Sequence, residues 1–219
     1  MDNSILKSPR YLEVTYPDKE TNYSNLLSRY ISNNIFNKTG SLLDVGCGNG
    51  EHLKAFNKIG YDVFGIDISP RVKEIKNFRT KQINFECGFE LSEKFDFIFC
   101  KSVIEHIRNV DVMADSLYYN LKENGKICIM TPSWEHCYQK FYNCHTHYTP
   151  FMKESLENIL LMHNFKNVKV SYFYQLPLVW KYPFSKYVCK LINFLKIPYK
   201  KSKFIRFSRE VMLLGVGEK

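Results

Sequence analysis

The chain has 219 residues, 45% hydrophobic and 16% aromatic, enough for one full αβ domain with elaborations and too few for two comfortable ones. Its 31 Lys and Arg against 22 Asp and Glu give a formal charge of +9, and its seven cysteines (Cys47, Cys87, Cys100, Cys128, Cys137, Cys144, Cys189), odd in number and scattered, exclude a disulfide framework and read as reduced thiols of a cytosolic protein. No stretch approaches the ~18 uninterrupted apolar residues of a spanning helix, and Met1 to Lys7 lacks the charged and apolar regions of a signal peptide, so a cytoplasmic or at most peripheral protein is expected.

In chain order, residues 1–40 are polar and tyrosine-rich, weakly helical from Tyr23 to Phe36 with Gly40 as the stop, and are expected to cap the site. Residues 41–219 read as one domain: strand 42–46, helix 50–59, strand 62–67, helix 70–78, short strand 83–87, strand 95–100, helix 110–121, strand 126–131, helix 151–163, strand 166–174 and a final strand 211–216. This alternation predicts an α/β fold, a mostly parallel sheet with helices on both faces.

The most informative run is Leu42-Leu43-Asp44-Val45-Gly46-Cys47-Gly48-Asn49-Gly50, an apolar strand ending in an acidic, glycine-spaced turn that opens a helix. Glycines there let the backbone turn sharply and let a ligand approach where a Cβ would block it. The spacing is G-x-G-x-G. A dinucleotide fingerprint needs G-x-G-x-x-G, and Glu51 occupies the place of its third glycine. One helix and one strand later, Gly65-Ile66-Asp67-Ile68 sets a second carboxylate at a strand end, where it can accept both hydroxyls of a ribose.

Asp44 with its glycine loop, Asp67, and the Glu105-His106 pair after the fourth strand together resemble the class I S-adenosylmethionine-dependent methyltransferases, over about Leu42 to Phe165. The resemblance implies a Rossmann-like seven-stranded sheet whose last strand is antiparallel, and S-adenosylmethionine as cofactor. It implies that Gly46, Cys47, Gly48 and Gly50 line the methionyl and ribose part and that Asp44 orients the loop. It further implies that Asp67 binds the ribose, that Ile68 lies beside the adenine, and that Lys101 is close to the methyl-transfer position. The family commonly has Gly-Asp after the third strand; this chain has Gly88-Phe89, so backbone groups of those two residues are the expected substitutes.

The segment after the fourth strand carries no Asn/Asp-Pro-Pro-Tyr/Phe tetrad, which disfavours methylation of amide or adenine nitrogen, and strand five ends Thr131-Pro132-Ser133 without a catalytic cysteine. An O-methyl acceptor remains: a small molecule, a glycan or a lipid-linked intermediate. His147-Tyr148-Thr149-Pro150 is similar to a stretch of methyltransferases acting on quinone precursors and in polysaccharide gene clusters. An imidazole there can accept a hydroxyl proton, which makes His147 the first candidate base, then His145 and His106. His136, Cys137, Cys144, His145 and His147 match no standard zinc spacing, and no metal is expected.

Between Glu157 and Glu210 the chain has no acidic residue and eleven basic ones, so the excess charge sits in one segment facing an anionic partner or simply solvent. That segment contains an insertion at about 175–209 between the last two strands. Within it Phe184, Tyr187, Val188, Leu191, Ile192 and Leu195 recur at helical spacing, with Lys186, Lys190 and Lys196 off that face. Two readings stand: a lid whose apolar face packs on the domain, or a basic helix touching an anionic membrane through 180–206. Nucleic acid is disfavoured because no RNA-binding module is appended; an RNA or protein methyltransferase and a catalytically silent cofactor-fold protein are the rival functions.

Overall fold

The computed structural model describes residues 22–195 and 202–219. A helix, α1 (Asn22–Ile31), runs into a wider turn to Phe36 and leads to β1 (Ser41–Val45), α2 (Glu51–Asn57), β2 (Asp62–Asp67) and β3 (Arg79–Gln82). β4 (Phe95–Lys101), α3 (Val110–Asn120) and β5 (Leu121–Pro132) follow, then α4 (Trp134–Phe141), α5 (Lys153–Met162) and β6 (Lys166–Phe173). α6 (Pro177–Lys181), α7 (Ser185–Phe194) and α8 (Lys203–Arg209) fill the insertion before β7 (Met212–Glu218).

The strands form one sheet in the order β3-β2-β1-β4-β5-β7-β6, parallel except for β7, which runs antiparallel between β5 and β6. Alternation places the two faces. Leu43, Val45, Ile98, Cys100, Ile127 and Ile129 pack with Leu117 of α3 and Leu156 and Leu160 of α5. Their neighbours Leu42, Phe97, Phe99, Cys128 and Met130 pack with Leu27 and Ile31 of α1 and Leu53 and Phe56 of α2. The strand order reverses at β1 and β4, and the glycine loop and the turn after β4 leave the sheet there, at its carboxyl edge.

Several expected boundaries differ. β3 lies at Arg79–Gln82 rather than 83–87, because an edge strand has one neighbour and tolerates the polar sequence Arg-Thr-Lys-Gln, while Phe85 is buried from a short 3-10 turn capped by Asn84. The helix expected over 70–78 is only a 3-10 turn, Pro70–Glu74, capped by Ser69. α4 was not anticipated from the sequence. Asn37, with φ 60°, closes the first helical segment in place of Gly40. The described part of that segment is built into the core, with Leu27 and Ile31 fully buried. Residues 1–21 of the expected cap, and Lys196 in the insertion, lie outside the described residues.

Candidate functional site

The glycine loop is built by backbone geometry. Gly46, Gly48 and Gly50 have φ of 75°, 53° and 79°, values that L side chains rarely adopt. A Cβ on Gly46 would strike Val103, whereas one on Gly48 would point into open space, as at a cradle left for a ligand. Asp67 braces the loop: Gly48 N–H donates to its Oδ2 and Ser69 N–H to its Oδ1, both at 2.8 Å. Burial raises the Asp67 pKa and these amides oppose that rise. Each oxygen keeps a second lone-pair direction for a hydroxyl donor.

Asp44 is buried beneath the loop with its Oδ2 lacking a hydrogen-bond partner. Burial, helped by the Asp67 charge and opposed by Lys101, pushes its pKa up to about 8. A buried carboxylate oxygen with no donor is costly unless a ligand supplies one. The nearby His52 Nδ1 is likewise orphaned, and burial with the Lys101 charge pulls that imidazole down to about 3. Lys101 is half-buried among Asp44, Glu51 and Glu105, and burial lowers its pKa against the pull of those carboxylates. These residues fit a nucleoside ligand carrying an ammonium group: a carboxylate for the ammonium, a cradle for close approach and a carboxylate for the ribose.

Other expected cofactor residues sit differently. The Cys47 side chain turns into the core, where a Cβ on Gly65 would meet its sulfur at 2.8 Å, so only the Cys47 backbone belongs to the loop. Gly88 N–H donates to Phe85 O, and Phe89 N–H to Ser116 Oγ, while Phe89 O accepts from Asn120. Those two amides are consumed by the fold instead of being held ready for an adenine. The Ile68 carbonyl accepts from Gln82, leaving a half-buried side chain next to Asp67.

Across the carboxyl ends of β4 and β5 lies a cavity of about 560 Å³, lined among others by Ser102, Phe141, Cys144, His147, Arg206 and Met212. Ser102 stands there with φ 56°, a strained conformation for a non-glycine residue, fixed by its N–H to Met130 O at 2.8 Å. Backbone lacing assembles the imidazoles. Tyr148 and Thr149 N–H both donate to Glu105 O, and Thr149 Oγ1 donates to Ile107 O, tying the loop after α4 to the turn after β4.

His106 and His147 thereby stack edge to face with ring centroids 4.7 Å apart. His106 Nδ1 donates to Thr146 O at 3.1 Å, which leaves Nε2 without its proton, and burial with the His147 charge pulls the His106 pKa down to about 4. Burial alone would push the Cys144 thiol up, but hydrogen bonds with His147 and Thr146 bring it down to about 6. His147 moves the other way: burial opposes its charge, but Cys144 and Glu105 outweigh that and raise its pKa. Beneath them Glu105 is buried, Oε2 accepting from Thr131 and Oε1 orphaned, its pKa raised by desolvation.

His145, by contrast, is exposed and does not line the cavity. Within the turn Cys144 to His147 the two imidazoles take different sides. His136 is also elsewhere, bonded to Ser133, while Cys137 lines the cavity with its thiol donating to the Val211 carbonyl. Among the described residues one group of metal-ligand type is brought together, His106, Cys144 and His147. The sequence offered Glu105 only as part of a family motif and Cys144 only as a weighed metal ligand, and it gave Arg206 no place in a site; the lacing of distant loops brings them together.

Residues 4–170 match the model of a methyltransferase domain. Among curated relatives, the ubiquinone biosynthesis O-methyltransferase of Pelagibacter ubique is 28% identical over 129 residues, 50% of this chain and 54% of that protein. Its Coxiella burnetii counterpart is 32% identical over 112 residues, 47% and 48% of the two chains. The chain thus spans about half the length of the curated relatives it matches. A solved S-adenosylmethionine-dependent methyltransferase from Archaeoglobus fulgidus superposes with a TM-score of 0.65 at 19% identity, covering 97% of this chain and 100% of that one. Phosphoethanolamine N-methyltransferase 2 of Haemonchus contortus, in complex with phosphomonomethylethanolamine and S-adenosylhomocysteine, gives 0.65 at 20% identity, over 98% of this chain and 59% of that one. At these identities the structural likeness is one of fold. With a family model matched across the glycine loop, both strand-end carboxylates and the Glu105-His106 turn, the chain belongs to the methyltransferase-domain family, on the class I S-adenosylmethionine-dependent fold.

Proposed function

We propose that the protein transfers a methyl group from S-adenosylmethionine to a hydroxyl of a small molecule. The observation that carries this reading is the juxtaposition of His147 with Ser102 and Pro132, at the carboxyl ends of β4 and β5, around one cavity. The bound cofactor supplies a sulfonium-activated methyl group, so the protein's tasks are positioning, exclusion of water and removal of one proton. Asp44, with its unpartnered Oδ2, and Asp67 would hold the cofactor's ammonium and ribose hydroxyls. The apolar lining from Phe141, Val211 and Met212 receives the acceptor's body, with Gln175 and Arg206 on the polar side. Neutral His147 would take the proton of an acceptor hydroxyl held in the cavity, and the thiolate of Cys144 beside it would stabilise the imidazolium formed. The names of the curated relatives, O-methyltransferases of ubiquinone biosynthesis, support the choice of a hydroxyl acceptor.

His147→Ala should lower turnover roughly 100-fold or more while leaving S-adenosylhomocysteine affinity within error, as expected for a general base. Because the His147 pKa is raised, the rate should climb with pH through a midpoint above the ordinary imidazole value. Cys144→Ser should bring that midpoint down. Full turnover of His147→Ala with a panel of hydroxyl acceptors and methyl-labelled cofactor would refute the assignment.

A further inference from the structure

We propose that the outward face of α7 docks this protein on an anionic lipid bilayer. α7 touches its own domain through a narrow line: Cys189 is fully buried and accepts a hydrogen bond from Ser208 of α8 at 3.3 Å, with Ile192 and Asn193 half-buried beside it. Apart from Ile192, the apolar stripe read from the sequence faces away from that line. Phe184 and Phe194 are 83% and 82% exposed, and Tyr187, Val188, Leu191 and Leu195 between them are each more than half exposed. A lid packed on the described domain would bury this stripe, and its exposure favours the membrane reading.

A contiguous run of exposed aromatic and branched residues at i, i+3, i+4 and i+7 needs an apolar cover. Charge selects which one. Lys186 and Lys190, one turn apart, run along the edge of the stripe, and both ammonium groups lie near the Tyr187 ring, at 5.3 and 5.8 Å. Lys181, on α6, is exposed as well. The whole stretch from 158 to 209 holds no carboxylate to answer these cations. A protein partner of ordinary composition would pair only some of them, whereas a sheet of lipid phosphates answers all while its acyl region takes the phenylalanines. Aromatic rings at the two ends of the helix suit the headgroup boundary. Arg206 of α8, which lines the cavity, is on the helix that Cys189 grips, so docking would hold that wall of the cavity at the membrane surface.

The experiment is flotation of the full chain with vesicles of equal parts phosphatidylglycerol and phosphatidylcholine, against vesicles of phosphatidylcholine alone, at low and high salt. Binding to the acidic vesicles, lost at high salt and absent from the neutral ones, is expected. Lys186→Glu with Lys190→Glu should weaken it by at least about tenfold, since each lysine near such a surface contributes a factor of about five. Phe184→Ser with Phe194→Ser should weaken it by a similar factor without moving the melting temperature, because both rings are solvated in the free protein. No flotation at low salt, equal flotation on neutral vesicles, or a lipid-independent dimer broken by Phe194→Ser would overturn the proposal. None of these readouts requires methyl transfer, so they stand or fall separately from the proposed activity.

Discussion

Cys144 shows how a residue acquires chemistry from its neighbours. A thiol in a half-buried turn would ordinarily resist ionisation, yet the hydrogen bonds of His147 and Thr146 bring it down to about 6, while burial raises Cys47 and Cys100 and pushes Cys137 up to about 12. At neutral pH, iodoacetamide should therefore label Cys144 faster than those three thiols, with a rate profile centred near 6. His147→Ala should move that profile to higher pH, as peptide mapping after timed labelling would show; an unshifted profile would remove the thiolate–imidazolium pair. At this scale the sequence named His147, His145 and His106 as candidates; the structure brings His147 and His106 together and leaves His145 exposed away from them. A spacing of two residues fixes side-chain direction in a strand but not in a turn.

Elements are joined here by polar ties that their own periodicity does not encode. His163 caps α5 and reaches α3, with Nδ1 2.6 Å from Asp115 and Nε2 3.0 Å from Asp111. Two carboxylates on two nitrogens call for the imidazolium. Burial opposes the charge, but the bonds to Asp111 and Asp115 raise the His163 pKa. A folded-state pKa above the unfolded one, about 6.5, means that this tie stabilises fully below that value and is lost as pH rises through the raised pKa. Its worth is at most about 1 kcal/mol, because both aspartates are largely solvated. Thermal melts of His163→Gln should accordingly converge with the parent at alkaline pH and fall below it in mild acid; a constant gap would reject the tie. The strands β1, β2, β4 and β7 were legible in the sequence because buried strands are apolar on both faces. β3 was not, since an edge strand carries no such constraint, and neither was α4, whose eight residues are too few for a clear period.

For the molecule as a whole, the orphaned oxygen of Asp44 and the open space over Gly48 are costs of holding a site ready. A ligand that fills them should stabilise the fold by mass action: S-adenosylhomocysteine at a hundred times its dissociation constant adds about 2.7 kcal/mol, or roughly 5–10 °C in melting temperature for a chain of this size. Asp67→Ala should abolish most of that shift, since it removes both the ribose acceptor and the brace on Gly48. A full shift in the variant, or an equal one from a nicotinamide dinucleotide, would contradict the cofactor assignment. Among the described residues no helix is long and apolar enough to cross a membrane, so contact with a bilayer would run along the α7 surface.

The sequence by itself determined the order of the central strands' motifs, the G-x-G-x-G loop and the two strand-end carboxylates, because each depends on residues within a few positions of one another. It also determined the amphipathic character of α7, which is a matter of spacing alone. Which way that helix faces was decided only by the tertiary structure, through the grip on Cys189 from α8. The grouping of residues around the cavity was decided in the same way. Glu105, His106, Cys144 and His147 come from two loops some forty residues apart in sequence, joined by the bonds of Tyr148 and Thr149 to the Glu105 carbonyl. Backbone bonds of that kind carry no side-chain signature, so no pattern in the chain announces them.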